Sequence, residues 1–190
     1  MYLELDNTAF DIDGVVMDIV SPFLKMLEQR FGLSGFTPED IGQFNFSGAL
    51  GIPETLVRKL VEQLLERPLE IGVYPYPGAV ETLQCLSQRG SILFLTARTN
   101  AEHVQAWFEK ALPDLLPDRY QIIATGDPLR KLDYLVECER ECLIDDHLET
   151  CQRLAEAGLK PYVFDQPWNR QDMTLPRIKG WAELARLFGL

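Results

Sequence analysis

An α/β fold is what the sequence predicts: a doubly wound parallel sheet carrying a small inserted all-helical segment. Three observations predict it. From Tyr76 onward, short apolar runs alternate with amphipathic stretches at helical spacing, the pattern of parallel strands joined by crossover helices. Between Val15 and Pro75 that rhythm stops and helical periodicity takes over. Finally, three apolar runs end abruptly in polar residues, at Asp11, Thr96 and Asp145. Strands whose carboxyl ends open on a ligand crevice end in this way.

In chain order, the run before Asp11 is the first strand. Ile19–Phe31 repeats Ile19, Phe23, Met26, Leu27 and Phe31 on one helical face. Thr37-Pro38-Glu39-Asp40 reads as a helix start, with a capping residue, proline at the first helical position and two acids. Glu54–Glu66, between Pro53 and Pro68, aligns Leu56, Val57, Leu60, Val61, Leu64 and Leu65. Ala79–Gln88 places Val80, Leu83 and Leu86 together and is closed by Gly90. Ser91–Leu95 is continuously apolar, as a strand buried on both faces must be. Ala101–Ala111 is helical, Tyr120–Ala124 strand-like, Leu129–Glu137 helical and Cys142–Ile144 a strand. His147–Ala157 follows as an amphipathic helix, Pro161–Asp165 as the last strand and Trp181–Phe188 as the closing helix. The expected division is a core of residues 1–14 and 76–190 and a helical cap of residues 15–75. The aliphatic density of the inserted segment favours a packed cap over a loose arm.

Composition narrows the functional classes. A hydrophobic fraction of 46% and a charged fraction of 25% describe an ordinary globular chain. The net charge of −11 argues against nucleic-acid polymers and anionic membranes as partners, since both select basic surfaces. No apolar run approaches the length of a membrane span. Met1–Asp6 carries acids and no basic segment, unlike a signal peptide. Cys85, Cys138, Cys142 and Cys151 form no CxxC pair and read as small core hydrophobes in a reducing compartment. A cytoplasmic location is therefore expected, and a homodimer is left open. Cys138, Cys142 and His147 offer a zinc site as the alternative use of these thiols.

The candidate site follows from the strand ends. Asp11 and Asp13 leave the first strand, Thr96 and Arg98 leave the second, and Asp145 and Asp146 leave the strand at Cys142–Ile144. Lys131 opens the helix before that strand. Crowded carboxylates repel, and a hard divalent cation such as Mg²⁺ relieves the repulsion through oxygen ligands. One carboxylate can attack phosphorus while a second exchanges protons with leaving group and water. A threonine hydroxyl can bind a phosphoryl oxygen, and a lysine can neutralise developing charge. Other readings stand beside these. Thr96 can cap the following helix, although Asn100 is the better cap, and Arg130 competes with Lys131. His103 and His147 read as helix-surface residues, and Asp18, Asp127 and Asp165 as solvated loop ends.

Asp11-Ile12-Asp13-Gly14, Phe94-Leu95-Thr96-Ala97-Arg98, Lys131 and Leu143-Ile144-Asp145-Asp146 resemble, in order, the four motifs of the haloacid dehalogenase superfamily. Val163–Arg170 (VFDQPWNR) is similar to the 5'(3')-deoxyribonucleotidase branch and its bacterial relatives. The resemblance implies a Rossmann-like core with the Asp11 strand central and a magnesium-dependent phosphomonoesterase working through an aspartyl-phosphate. Asp11 is then the nucleophile. Asp13 is the general acid/base and a metal ligand through its backbone carbonyl. Gly14 allows the turn that follows. Thr96, Ala97, Arg98 and Lys131 face the phosphate. Asp145 and Asp146 complete the metal site, Asp146 directly and Asp145 through water. The implied substrate is a nucleoside monophosphate, preferably deoxy, with a sugar phosphate or another small phosphomonoester as the alternative. Phe44, Phe46, Tyr74 and Tyr76 are candidates for an aromatic wall around the base, or else packing residues of the cap and hinge. Trp168 and Arg170 either contact substrate or close a loop over the sheet edge.

Two other classes compete. A phospho-accepting receiver domain also gathers acids, a threonine and a lysine, but there the adjacent acid pair comes first and the lysine last. A non-catalytic phosphate- or metal-binding protein on the same fold would lack one of the reactive residues, and none is missing here.

Overall fold

The structure is a computed structural model and describes residues 2–190. Its strands are β1 (Thr8–Phe10), β2 (Met17–Asp18), β3 (Tyr74–Pro75), β4 (Ile92–Thr96), β5 (Tyr120–Ala124), β6 (Cys142–Asp145), β7 (Lys160–Phe164) and β8 (Arg177–Ile178). Six of them form a parallel sheet in the order β5-β4-β1-β6-β7-β8. β1 has β4 on one side and β6 on the other, with Phe10 level with both Phe94 and Ile144. The chain winds outward through β4 and β5, then returns past β1 to build β6, β7 and β8. The reversal therefore falls beside β1, where the carboxyl ends of β1, β4 and β6 diverge around a crevice.

The period-two alternation of strands decides which helices cover which face. Phe10, Ile92, Phe94, Ile144 and Phe164 point to one side. That side is covered by α5 (Ala79–Ser87), α6 (Glu102–Ala111) and α9 (Trp181–Leu187). Trp181 stacks on Phe10 at 6.1 Å, and Phe108 meets Phe94 edge-on at 5.0 Å. Ala9, Leu93, Leu95 and Leu143 point the other way, toward Leu135 and Leu154 of α7 (Lys131–Glu137) and α8 (Leu148–Glu156). β1 is buried on both faces, with Ala9 and Phe10 apolar and the Thr8 hydroxyl satisfied by the Glu4 carbonyl at 2.8 Å.

Residues between β2 and β3 are helical: α1 (Val20–Phe31), α2 (Phe46–Leu50), α3 (Glu54–Glu66) and α4 (Pro68–Ile71). α1 starts where the Asp18 carboxylate accepts the Val20 and Ser21 N–H groups, so this acid is a helix cap. Leu60 and Leu64 of α3 are buried, with Val57 and Val61 packed beside them. The segment joins the sheet through β2 and β3, which pair antiparallel, and through Trp107 of α6, whose indole N–H donates to the Val73 carbonyl at 2.8 Å.

Two local expectations change. Thr37–Asp40 makes only a 3-10 turn at Pro38–Asp40, because Asp40 folds back on both the N–H and hydroxyl of Thr37 and no apolar stripe follows. The next helix waits for Asn45, which accepts the Gly48 N–H at 3.2 Å. The sheet also gains β8 beyond the expected last strand, where Asp165 N–H meets the Ile178 carbonyl at 2.8 Å; two residues carry no periodicity to read. No helix among the described residues is long and apolar enough to cross a membrane.

Candidate active site

Four buried charged groups meet at the switch point. Asp11, just beyond β1, hangs from β6 by its N–H to the Ile144 carbonyl at 2.8 Å. Lys131, the first residue of α7, reaches Asp11 at 2.7 Å and Asp145 at 2.8 Å. Its side chain is 2% exposed, and those of Asp11 and Asp145 are 7% and 0%. The second Asp145 oxygen accepts the His147 N–H at 2.8 Å, so both oxygens are fixed. Asp146 accepts the Trp168 indole N–H at 2.7 Å, and its carbonyl accepts the Asn169 amide at 2.8 Å. Arg130 instead lies on the Thr125 carbonyl and over the Tyr134 ring.

One carboxylate oxygen from each of Asp11, Asp145 and Asp146 falls within 4.8 Å of the others. Among the described residues this is the group of His, Cys, Asp and Glu side chains able to share an ion, and Cys138, Cys142 and His147 do not form one. Burial, the Asp145 charge and the Asp13 charge push the Asp11 carboxyl up to about 7 against the opposing pull of Lys131. Burial and the Asp11 charge also hold Asp146 well above the usual carboxylate range. Burial works against the Lys131 ammonium, but Asp11 and Asp145 overcome it and the lysine stays charged. With all three carboxyls ionised, as a bound cation would make them, the carboxylates and one ammonium sum to −2. An all-oxygen donor set with that residual charge fits a hard divalent cation.

Gly14 is required where the chain turns over this cluster. Its φ of +84° lies in the left-handed region, and a Cβ there would run into the Asp146 carboxylate. The turn is held from below: Gly14 accepts the Gln166 side-chain amide at 2.7 Å, and Val15 accepts the Trp181 indole N–H at 2.8 Å.

The structure does not bring every candidate to the cluster. Asp13 is not among the grouped oxygens; Arg98 grips its carboxylate through Nε at 2.9 Å and Nη2 at 2.6 Å. Thr96 is fully buried at the end of β4, where its hydroxyl oxygen accepts the Arg98 N–H at 3.3 Å and its carbonyl accepts Thr125. Ala97 and Arg98 line a separate hollow with Glu62, Glu66 and His103. Asp127 caps the turn at Pro128, and Asp165 pairs with Arg170 and Arg177. Arg170 also reaches Glu39, so it ties the loop after β7 to the helical segment.

A cavity of about 330 Å³ opens between Asp146 and the helical segment. Phe44, Phe46, Trp168, Ile19, Val57 and Val61 give it an apolar lining, with Asn45, Ser47, Glu54 and Arg58 among them. Tyr74 and Tyr76 do not line it: Tyr74 is exposed, and Tyr76 packs near Phe164 at 6.0 Å. Sequence reasoning missed Gln166 and Asn169. Their signal was the Gln-Pro-Trp-Asn run itself, in which Gln166 and Asn169 cap each other around Pro167.

The sheet order and the acid cluster fit a hydrolase of phosphoric monoesters from the haloacid dehalogenase superfamily. The comparisons agree. Residues 7–189 match the model of the family described as "5' nucleotidase, deoxy (Pyrimidine), cytosolic type C protein", and the chain belongs to that family. A Bacillus cereus protein named "Putative nucleotidase" is 27% identical over 184 residues, which cover 93% of this chain and 94% of that one. The "putative phosphoglycolate phosphatase" of Lactobacillus delbrueckii subsp. bulgaricus shares the fold with a TM-score of 0.65 at 16% identity, covering 98% of this chain and 99% of that one. A dehalogenase structure follows with a TM-score of 0.62 at 16% identity and 98% of both chains.

Proposed function

We propose that the chain is a magnesium-dependent nucleotidase that hydrolyses nucleoside monophosphates, preferably deoxy, through an aspartyl-phosphate on Asp11. One observation carries the reading. The buried Asp11–Asp145–Asp146 cluster borders, through Asp146, an aromatic cavity of about 330 Å³. A cation-dependent phosphoryl site therefore lies beside an apolar chamber near the lower end of the ~300–1,000 Å³ range of ligand pockets. Phe44, Phe46 and Trp168 offer ring faces for a nucleobase. Residues 15–75 act as the cap over a core of residues 1–14 and 76–190.

An Asp11 oxygen attacks phosphorus, and the bond from phosphorus to the leaving oxygen breaks. Asp13 gives its proton to that oxygen, and the nucleoside departs. Asp13 then takes a proton from water as the water oxygen attacks phosphorus, the bond to Asp11 breaks and inorganic phosphate leaves. The Thr96 hydroxyl and the Ala97 and Arg98 N–H groups bind phosphoryl oxygens. Lys131 holds the Asp11 carboxylate in place and balances its charge. Asp11, Asp146 and the Asp13 carbonyl would hold magnesium, with Asp145 behind them through water. When bound, the ion neutralises phosphoryl charge and orients the phosphate for in-line attack.

Phosphate release from ribo- and deoxyribonucleoside monophosphates and sugar phosphates, with Mg²⁺ or with EDTA, tests the reading beside Asp11→Asn. Mg²⁺-dependent turnover of a nucleotide, abolished in the variant, is expected. Turnover confined to sugar phosphates would refute the nucleotide assignment and keep the chemistry.

A further inference from the structure

Arg98 was expected to face the phosphate, but the folded chain has its guanidinium engaged elsewhere. Nε and Nη2 fork onto the two Asp13 oxygens at 2.9 and 2.6 Å. Nη1 donates to the Leu65 carbonyl at 2.7 Å, and Nη2 also touches the Met17 sulfur at 3.7 Å. The Arg98 side chain is only 7% exposed. Leu65 lies in the last turn of α3, where carbonyls lack partners within the helix and the helix dipole favours a cation. Met17 belongs to β2. One planar group thus joins the Asp13 carboxylate, the strand that leads into the helical segment and the end of the helix that walls the cavity with Glu54, Val57, Arg58 and Val61.

We propose that Arg98 is a positioning residue: it aims the Asp13 carboxylate, and it does so through the seating of α3 on the sheet. The proposal rests on the function proposed above and goes beyond it. A bidentate fork fixes the plane of a carboxylate as well as its place. The third contact makes that plane depend on where Leu65 sits. A substrate filling the cavity against α3 favours the seated helix and, by the same contacts, the place of Asp13 beside the leaving oxygen; one Asp13 oxygen then leaves the fork, takes a proton from solvent and gives it to that oxygen as the bond to phosphorus breaks. Recognition and proton transfer share one strut.

The leaving group reads this role. A series of aryl phosphates of one shape and graded leaving-group basicity is followed through the burst of phenolate, which reports Asp11 phosphorylation alone. Arg98→Ala should slow the most basic leaving groups about 10²-fold, the lower end of a general acid's contribution. The p-nitrophenyl ester, whose leaving group needs no proton, should slow less than about threefold, with KM little changed. In an Asp13→Asn background the same substitution should have almost no effect, because the two residues act as one unit. Arg98→Lys keeps the charge without the fork. It should show the same leaving-group dependence in smaller measure, and it carries the test should the alanine variant melt early. Equal losses across the series, a raised KM, or losses that multiply with Asp13→Asn would make Arg98 a phosphate ligand and overturn the proposal. A wild type that turns over no ester, aryl or nucleotide, overturns the proposed function and this proposal together; an active wild type with equal losses overturns this one alone.

Discussion

Replacing Lys131 by methionine removes a charge from a place that water scarcely reaches. The side chain is 2% exposed and bridges Asp11 at 2.7 Å and Asp145 at 2.8 Å, carboxylates 7% and 0% exposed. Methionine fills most of the volume, so packing is largely kept and the loss is electrostatic. Leaving a buried partner unpaired costs about 3–5 kcal/mol, which at ~2–4 °C per kcal/mol for a chain of this size lowers Tm by about 6–20 °C. Equilibrium urea unfolding in EDTA at pH 8 measures it without a cation standing in for the lysine. The deficit should depend on pH with a definite sign. Without Lys131 the Asp11 carboxyl, already pushed up to about 7, rises further above its unfolded value. Its contribution is then fully present below the unfolded pKa and is lost as pH climbs through the folded one. Lysine and methionine proteins should therefore converge toward about pH 5 and separate above about pH 7. A loss under about 1 kcal/mol at pH 8 would show that the bridge is not formed. A deficit that grows on acidification would refute the titration argument.

Other expectations concern the same crevice. Gly14→Ala meets a positive φ and the Asp146 carboxylate at once; the backbone alone costs about 1–2 kcal/mol, and a variant melting like the wild type would contradict the geometry. Trp168→Phe keeps an aromatic side chain, though a smaller one, and deletes the N–H donated to Asp146. Divalent-ion affinity by titration calorimetry should fall about 10–100-fold, and unchanged affinity would show that the indole does not orient the ligand. In wild-type protein without metal, burial of Asp11 and Asp146 should make Tm fall as pH rises from about 5 to 8, because the folded state binds the protons more tightly. Added Mg²⁺ should flatten that slope, and a flat profile in EDTA would count against the raised carboxyls.

Much of this was legible because it depends on local chemistry. Glu54–Glu66 is bracketed by prolines and carries one apolar stripe, and α3 has those limits. Asp11, Lys131, Asp145 and Asp146 could be expected to converge because strand ends of one parallel sheet share an edge. The less legible parts depend on contacts with no sequence period. Gln166 finds Gly14 from 152 residues away, and Trp168 finds Asp146 from a loop whose composition marks only a turn. Thr37–Asp40 has the signs of a helix start, but the first turn closes on itself and nothing apolar continues it. The Arg98 side chain shows the same limit. Its position after Thr96 suggested phosphate, whereas its contacts go to Asp13 and to a carbonyl on an element remote in sequence.

The chain leaves the two-stranded β2–β3 ribbon at Asp18 and returns to it at Tyr74, and these two residues face each other across an antiparallel pair. To the strands, everything in between is the loop of one hairpin. Loop-closure entropy grows only with the logarithm of length, about 0.6 kcal/mol per doubling. Exchanging a short turn for this insertion therefore costs that ribbon roughly 2–3 kcal/mol before the inserted helices contribute any packing of their own. Evolution can lengthen, shorten or replace what lies between Asp18 and Tyr74 without re-registering a single strand. New selectivities can be tried on an edge whose reactive groups stay where they are.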